Sequence, residues 1–360
     1  MTHARRPGAL TGRGAVSNPE GRFESTRVEI ADDGWGSLEE ELPPLVTSVQ
    51  ADPARSIIAR NKSPDICFDQ SINPYRGCEH GCIYCYARPS HGYLNLSPGL
   101  DFETKLFYKQ NAAQLLEEEL SARGYRCSPI TIGANTDPYQ PIEREYRVTR
   151  SIIEVLAKYR HPFSIITKGS MIERDVDLLA PLAQEGLVLA LISVTTLSNE
   201  LKRTLEPRTA APAARLRAIR TLASAGIPVG VMVAPVVPVL TDFEMESILE
   251  AASEAGARSA GYVLLRLPYE IKDLFREWLN THEPLKAKHV ISRMQAMRGG
   301  RDYDSSWGKR QRGEGEYAKL LQLRFEAACR RYGLTTGEPF VHNTGLFRVP
   351  MTGPEQLTLI

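Results

Sequence analysis

Cysteine is scarce in this chain, six among 360 residues, and the three that fall close together have no fourth nearby. Long hydrophobic runs are absent too, and none approaches the length of a membrane-spanning helix. The start, Met1-Thr2-His3-Ala4-Arg5-Arg6, leads into Gly, Pro and polar residues without an apolar core, so no signal peptide is expected. Charge of one sign is missing as well. Lys and Arg number 44 against 43 Asp and Glu, a formal net of +1, so no global field draws the chain to nucleic acid or membrane. That balance leaves room for a local basic patch. No internal repeat or low-complexity tract stands out. The length suffices to bury a full core in one large domain or two ordinary ones. A cytoplasmic protein without membrane contact is expected.

What is present is the stretch Gly77-Cys78-Glu79-His80-Gly81-Cys82-Ile83-Tyr84-Cys85-Tyr86, which sets three cysteines as C-x-x-x-C-x-x-C. At that density in a cysteine-poor chain, thiolates hold a metal more often than they form a disulfide. Structural zinc wants four protein ligands, usually as two separated pairs. The ferredoxin run needs C-x-x-C-x-x-C and a further Cys-Pro, which is absent. Thiolates of Cys78, Cys82 and Cys85 on one tight loop suit a 4Fe-4S cluster with one iron left free for something other than protein. The alternative is a non-catalytic zinc knot that recruits His80 or His91. Cys67, Cys127 and Cys329 are scattered and read as reduced, packed thiols.

Residues 1–62 read as a leader, partly disordered, in which Glu39-Glu40-Glu41 is solvated and 43–62 forms a short strand or arm. Strands are expected near 71–75, 130–133, 163–167, 187–194, 227–234 and 262–265. Helical patterns fall between them at 111–123, 148–159, 173–185, 213–225 and 243–255. Such alternation argues for parallel βαβ units over 63–280, closed into a barrel or left open. Further helices are expected at 271–279, 284–297 and 316–332. Residues 281–360 are read as a helical extension over the barrel mouth, the last dozen extended.

The cysteine spacing, with aromatic Tyr84 just before the last cysteine, resembles the signature of the radical S-adenosylmethionine (SAM) enzymes. That resemblance implies an α/β fold, a partial (β/α)6 TIM-type barrel with a helical C-terminal cap and the cluster loop after the first strand. It implies SAM bound at the open iron and cleaved reductively to methionine and a 5′-deoxyadenosyl radical. A donor such as flavodoxin or ferredoxin would supply the electron. Barrel active sites collect at the C-terminal strand ends. After the second strand, the run from Asn135 to Glu143 is rich in acceptors and would serve equally as an Asx-type turn. It resembles the second-strand motif of the spore photoproduct lyase branch, which implies Thr136 and Asp137, with Asn135 and Glu143, beside the cofactor amino group. Lys168, after the third strand, resembles the family's carboxylate-binding lysine, while Ser170 and Glu173 fit a capping box. Ser193 ends the fourth strand where hydroxyl contacts to a ribose would fall. Arg208 would bridge a carboxylate or pin its loop to Glu206. The stretch 232–238 is apolar enough to lie against adenine or to be plain core.

The narrower match is to the uncharacterised bacterial members of that branch, labelled DNA repair photolyase-related, and implies a lyase-like reaction on nucleic acid. One departure matters. Where the spore enzymes carry a hydrogen-donating cysteine, this chain has Ala134, and Cys127 lies across a strand from that position. Tyr84 and Tyr86 become the candidates to relay a hydrogen atom. Nucleic acid would meet Lys286, Lys288, Arg293, Arg298, Arg301, Lys309, Arg310 and Arg312, with Tyr303 and Trp307 available for stacking. Modification of a protein or peptide is the alternative, and a monomer is expected.

Overall fold

The computed structural model describes residues 10–23, 45–337 and 340–350. The acidic run at Glu39–Glu41 and the extended end expected over 351–360 lie outside the described residues. Ten strands follow in chain order: β1 (Ser48–Ala51), β2 (Ala59–Arg60), β3 (Gln70–Ile72), β4 (Tyr75–Arg76), β5 (Lys105–Tyr108), β6 (Ile130–Ile132), β7 (Phe163–Thr167), β8 (Val188–Ser193), β9 (Val229–Val236) and β10 (Ser259–Leu264).

The main sheet runs β10-β9-β8-β7-β6-β3-β2. Its first six members are parallel and neighbour one another in the order of the chain, while β2 joins the far edge antiparallel. No ladder among the described residues joins β10 to β2, so the sheet is the open partial barrel that the family resemblance implies. Its strands read as apolar, β-branched runs because both faces are covered. Ile72, Ile130, Ile132, Ile165, Ala190, Ile192, Val231 and Val233 are all fully buried. The covering helices are Ala112–Ser121, Val148–Lys158, Val176–Gln184, Pro212–Ser224 and Met245–Glu254, each in the crossover between two consecutive parallel strands. A parallel pair needs such a connection, which fixes all strand C-termini at one end.

A second, three-stranded sheet, β1-β5-β4, was not expected. Its strands are two to four residues long, too short to leave a periodic trace in the sequence. β1 and β2 lie in the expected arm. Together they dock the leader onto β5 and β3.

Two expectations need correction. Ser170 caps nothing: it opens a 3-10 helix, Ser170–Asp175, preceded by Gly169, and no side chain caps it. Glu173 instead meets Arg217 and the Thr221 hydroxyl. The C-terminal extension does not roof the mouth either. Helix Gly315–Tyr332 packs beside Met245–Glu254 on the outside of the barrel. Residues 342–348 then cross the opposite end, where Asn343 N–H donates to Gly186 O and Arg348 N–H to Tyr159 O. The loop 298–313 lies near the strand ends, and Tyr317 and Arg324 of helix Gly315–Tyr332 reach Asp242 in the segment after β9. Within the loop, Gln311 O accepts Leu264 N–H along the β10 edge, while Gly308 N–H and the Arg310 guanidinium meet Asp65, in the turn between β2 and β3. That loop bridges the two edges of the open sheet.

Gly133 turns the chain out of β6 at φ +87°, and a Cβ there would lie 2.4 Å from Ile166 O on the neighbouring strand. Gly133→Ala should therefore combine left-handed strain with a backbone clash, costing about 2–4 kcal/mol. Urea denaturation measures the loss, and a change under about 0.5 kcal/mol would contradict this account of the turn.

Candidate active site

β3 ends at Ile72, and Asn73, Pro74 and the short β4 lead into the cysteine loop at the C-terminal end of the sheet. The loop has no ladder of its own. Cys78 N–H donates to Phe102 O (2.9 Å) and Ile83 N–H to Leu205 O (3.1 Å). Gly81 holds φ +66°, and a Cβ there would come within 2.7 Å of the Glu103 carboxylate. Beneath the loop lies Arg88, fully buried. Its guanidinium donates to Cys82 O (2.9 Å), Gly81 O (3.1 Å), Pro98 O (3.1 Å), Gly99 O (2.8 Å) and Glu103 Oε1 (2.5 Å). Glu103 is completed by the leader, whose Gly14 and Ala15 N–H groups donate to its two oxygens at 3.0 and 2.8 Å.

The three thiols sit close enough to feel one another. Burial raises the Cys78 thiol well above its usual range, and Asp137, Cys85 and Cys82 add to the rise. Burial likewise raises Cys82 and Cys85. Buried, mutually repelling thiols gain from a cation that takes them as thiolates, so the donor set fits a metal centre. Among the described residues no three His, Cys, Asp or Glu side chains are gathered to hold one single ion. Of the candidate fourth zinc ligands, His80 Nδ1 lies 3.3 Å from Asp137 and His91 Nε2 lies 2.9 Å from Lys105 O, while His91 Nδ1 is buried without a hydrogen-bond partner.

The turn after β6 is the platform on which the loop rests. Asn73 Oδ1 accepts from the N–H groups of Asn135 (2.7 Å) and Thr136 (3.3 Å). Gln140 accepts from Glu79 N–H and donates to Gly77 O. Asp137 accepts from Tyr139 N–H (2.9 Å), the Thr167 hydroxyl (2.6 Å) and Lys168 N–H (2.7 Å), besides His80. Burial would raise its pKa, but His80, Thr167 and the Lys168 amide outweigh burial and hold it at about 2.

At the ends of β7 to β9 a second polar centre forms around Glu206. It accepts from the Tyr84 hydroxyl, from Thr195 (2.7 Å) and from Arg215 (2.5 Å). Burial opposes its charge, yet Arg215, Lys168 and these hydroxyls keep its pKa at about 2. Lys168 Nζ donates to Ala234 O (2.8 Å), stands 3.8 Å from Glu206 and lies over the Tyr84 ring. Tyr86, half-exposed, donates its hydroxyl to Ala134 O and stacks under the Arg266 guanidinium.

These positions revise several sequence expectations. Glu143 is not at the mouth: fully buried, it accepts from the Tyr75 hydroxyl, Thr149 N–H and Arg174, and so clamps a helix start. Thr136 turns its hydroxyl to Tyr75 O. Asp137 has both oxygens filled by protein donors, which leaves it a positioning residue. Tyr84 is buried and donates its hydroxyl to Glu206. Arg208 pins the cysteine loop through Glu79 (2.9 Å) instead of Glu206, and stays partly exposed. Asn135, Lys168 and Ser193 stand at the strand ends as expected; Ser193 O accepts from Arg215. Cys127 precedes β6, at the far end of that strand.

The basic patch is also dispersed. Lys286 pairs with Glu283, Lys309 with Glu314 and Arg310 with Asp65, while Arg298 is buried against Leu265 O. Arg293 lies over Tyr317 and Arg312 over Tyr262; Lys288 and Arg301 remain exposed. The sequence reading missed Arg88, Glu103, Arg215 and Arg266. Their partners lie in distant segments, and no local spacing announces them.

Comparison with known proteins agrees with this architecture. A family model described as the Radical SAM superfamily matches residues 72–252. An uncharacterised protein of Mycobacterium tuberculosis is 39% identical over 231 residues, covering 63% of this chain and 68% of the relative. An uncharacterised protein of Methanocaldococcus jannaschii is 29% identical over 173 residues, 48% of this chain and 62% of its own. Among solved structures, a spore photoproduct lyase variant with bound SAM and dinucleoside spore photoproduct superposes with a TM-score of 0.58 at 15% identity. The alignment covers 80% of each chain. At that identity the likeness concerns the fold.

Removal of Glu103 tests the support of the loop. Glu103→Ala leaves the Arg88 charge buried without its carboxylate, and should cost about 3–5 kcal/mol on denaturation. It should also expose residues 10–23 to limited proteolysis. A loss under about 1 kcal/mol with unchanged cleavage would show that the loop is held by other means.

Proposed function

We propose that this chain, which belongs to the Radical SAM superfamily, holds a 4Fe-4S cluster on Cys78, Cys82 and Cys85 and cleaves SAM reductively. The observation that carries this reading is the set of three thiols, two buried and one partly buried, gathered on one loop at the C-terminal strand ends. Enzymes of this superfamily use such a cluster together with SAM. When bound, the cluster supplies the single electron that divides SAM into methionine and a 5′-deoxyadenosyl radical.

The chain's own residues bind, orient and exclude water. Lys168 presents an ammonium at the mouth to the SAM carboxylate, an attraction that grows as water is displaced. Its neighbour Glu206 is already neutralised by Arg215, so it does not cancel the lysine. Asn135 offers an amide at the end of β6 to the amino group, and Ser193 a hydroxyl at the end of β8 to the ribose. Arg208, although held by Glu79, retains an exposed face and can shift toward a carboxylate. Asp137, Thr136 and Glu143 act one step away by fixing the platform and the loop.

The reaction class we infer is lyase-like, on a nucleic-acid substrate. Its support is the resemblance in fold to the spore photoproduct lyases together with the exposed aromatic and arginine groups at the mouth. Where those enzymes carry a cysteine, Ala134 has only a methyl group, but the Tyr86 hydroxyl reaches its carbonyl. Tyr86 is therefore the residue we assign to hydrogen return. A one-electron donor such as a flavodoxin or ferredoxin is required. Among the described residues no helix is long and apolar enough to cross a membrane.

Anaerobic reconstitution followed by dithionite and SAM should yield 5′-deoxyadenosine, measured by chromatography. Cys78→Ala should lower that yield by about two orders of magnitude or more, since one missing ligand removes the electron source. A colourless protein that binds zinc in place of iron and forms no product would overturn the assignment.

A further inference from the structure

The fully buried guanidinium groups of Arg88 and Arg215 are spent on carboxylates and backbone carbonyls, but one at the mouth is not. Arg266 follows β10 directly, at the same end of the sheet as the cysteine loop. Its guanidinium lies 4.6 Å above the ring of Tyr86, the residue after the third cysteine. Among the described residues no carboxylate pairs with it, and its Nε is buried without a hydrogen-bond partner. A second guanidinium, Arg298, is buried nearby and donates to Leu265 O, the residue before Arg266, while its own Nε also lacks a partner. Burial lowers the pKa of Arg298, Tyr303 opposes that, and Arg266 lowers it further. Two cations are thus set side by side; Asp304 offsets Arg298 in part, while no carboxylate among the described residues pairs with Arg266.

We propose that Arg266, stacked on Tyr86 and backed by Arg298, forms an anion subsite at the barrel mouth that takes a phosphodiester group of a nucleic-acid substrate. The inference rests on the reading of the mouth as a site of reaction and names the group recognised there. A guanidinium held flat on an aromatic ring keeps its fork of donors in one plane, which suits the oxygens of a phosphate. Carboxylate would satisfy the same fork. What favours a nucleotide is the surrounding surface: Tyr86, Tyr269 and Trp307 are all exposed. The last two already carry guanidinium groups on their faces, Arg22 at 3.8 Å and Arg310 at 4.3 Å. Exposed rings interleaved with cations bind bases and phosphates together.

The unpaired state of Arg266 also has an energetic reading. A buried or half-buried cation without a partner is costly, and such a cost persists where a ligand repays it. Bringing in one phosphate balances the charge of Arg266 and relieves its repulsion with Arg298. The subsite would thus hold substrate beside Tyr86, the residue assigned to hydrogen return.

The test is fluorescence anisotropy of a short fluorescein-labelled oligothymidylate on anaerobically reconstituted protein, with neither SAM nor reductant present. Binding should weaken with salt. Arg266→Gln should bind at least about tenfold more weakly, with a salt slope shallower by about one. Arg266→Lys keeps the charge but loses the planar fork, and should recover only part of the affinity. Thermal melts of both variants separate lost binding from lost fold. The proposal is overturned if Arg266→Gln binds like the parent protein or if the parent does not bind the oligonucleotide. It is overturned equally if polyglutamate displaces the probe as well as unlabelled oligothymidylate does. Since no SAM is cleaved here, failure would leave the 5′-deoxyadenosine result standing, and the converse also holds.

Discussion

A loop that carries three thiols, two of them buried, has no strand or helix to satisfy its backbone, and in this protein Arg88 does so. One planar cation takes four loop and turn carbonyls and one carboxylate, all away from water. Burying a charge without a partner costs several kcal/mol, so Arg88 depends on Glu103 as much as the loop depends on Arg88. Glu103 in turn takes two N–H groups from the leader. The chain of dependence runs from residues 14 and 15, through two buried charges, to the carbonyls of Gly81 and Cys82. That makes the described part of the leader a component of the site.

The open barrel imposes a second constraint. Six parallel strands leave two edges and a gap between them, and unpaired edges invite pairing with other chains. β2 covers one edge, and Gln311 and Thr335 cover parts of the other. The loop from 298 to 313 then spans between them through Asp65. Because the longer helices of the C-terminal region pack outside the barrel, the mouth keeps an opening beside Tyr86 and Arg266. The same segment that protects the edges brings Arg298 and Arg310 to that opening.

The longer strands and the helices of the core were legible because they repeat an apolar pattern and are punctuated by glycine or proline. The strand at 163–167 and the helix from 148 show this. The three-residue β3 and β6 were legible instead as short segments that alternate with helical patterns. The cysteine loop was legible for a different reason, since its ligands are contiguous. The polar environment was not legible. Asp137 and Glu143 stand in an acceptor-rich run that a sequence reading places beside a ligand, yet their oxygens are filled by His80, Thr167, Thr149 and Arg174 from other segments. Which donor fills a carboxylate is decided by tertiary contacts that local spacing does not encode. Arg266 was overlooked for the same reason: a single arginine after a strand has no motif around it.

The formal charge of +1 also misdescribes the surface that a substrate meets. Glu103, Glu143, Asp175 and Glu206 are fully buried, and their charge is consumed by Arg88, Arg174, Arg150 and Arg215. Those internal pairs are screened from outside and contribute little field at the mouth. Of the groups that remain there, Lys168 faces a carboxylate already neutralised by Arg215, and Arg266 faces none among the described residues. A chain can therefore be neutral in sum and still present a positive mouth. The relevant attraction acts over roughly the Debye length of 8–10 Å. It selects for an anion already at the strand ends and does little to steer one from afar, which is consistent with a substrate held by a few local contacts and stacking rings rather than by a long basic groove.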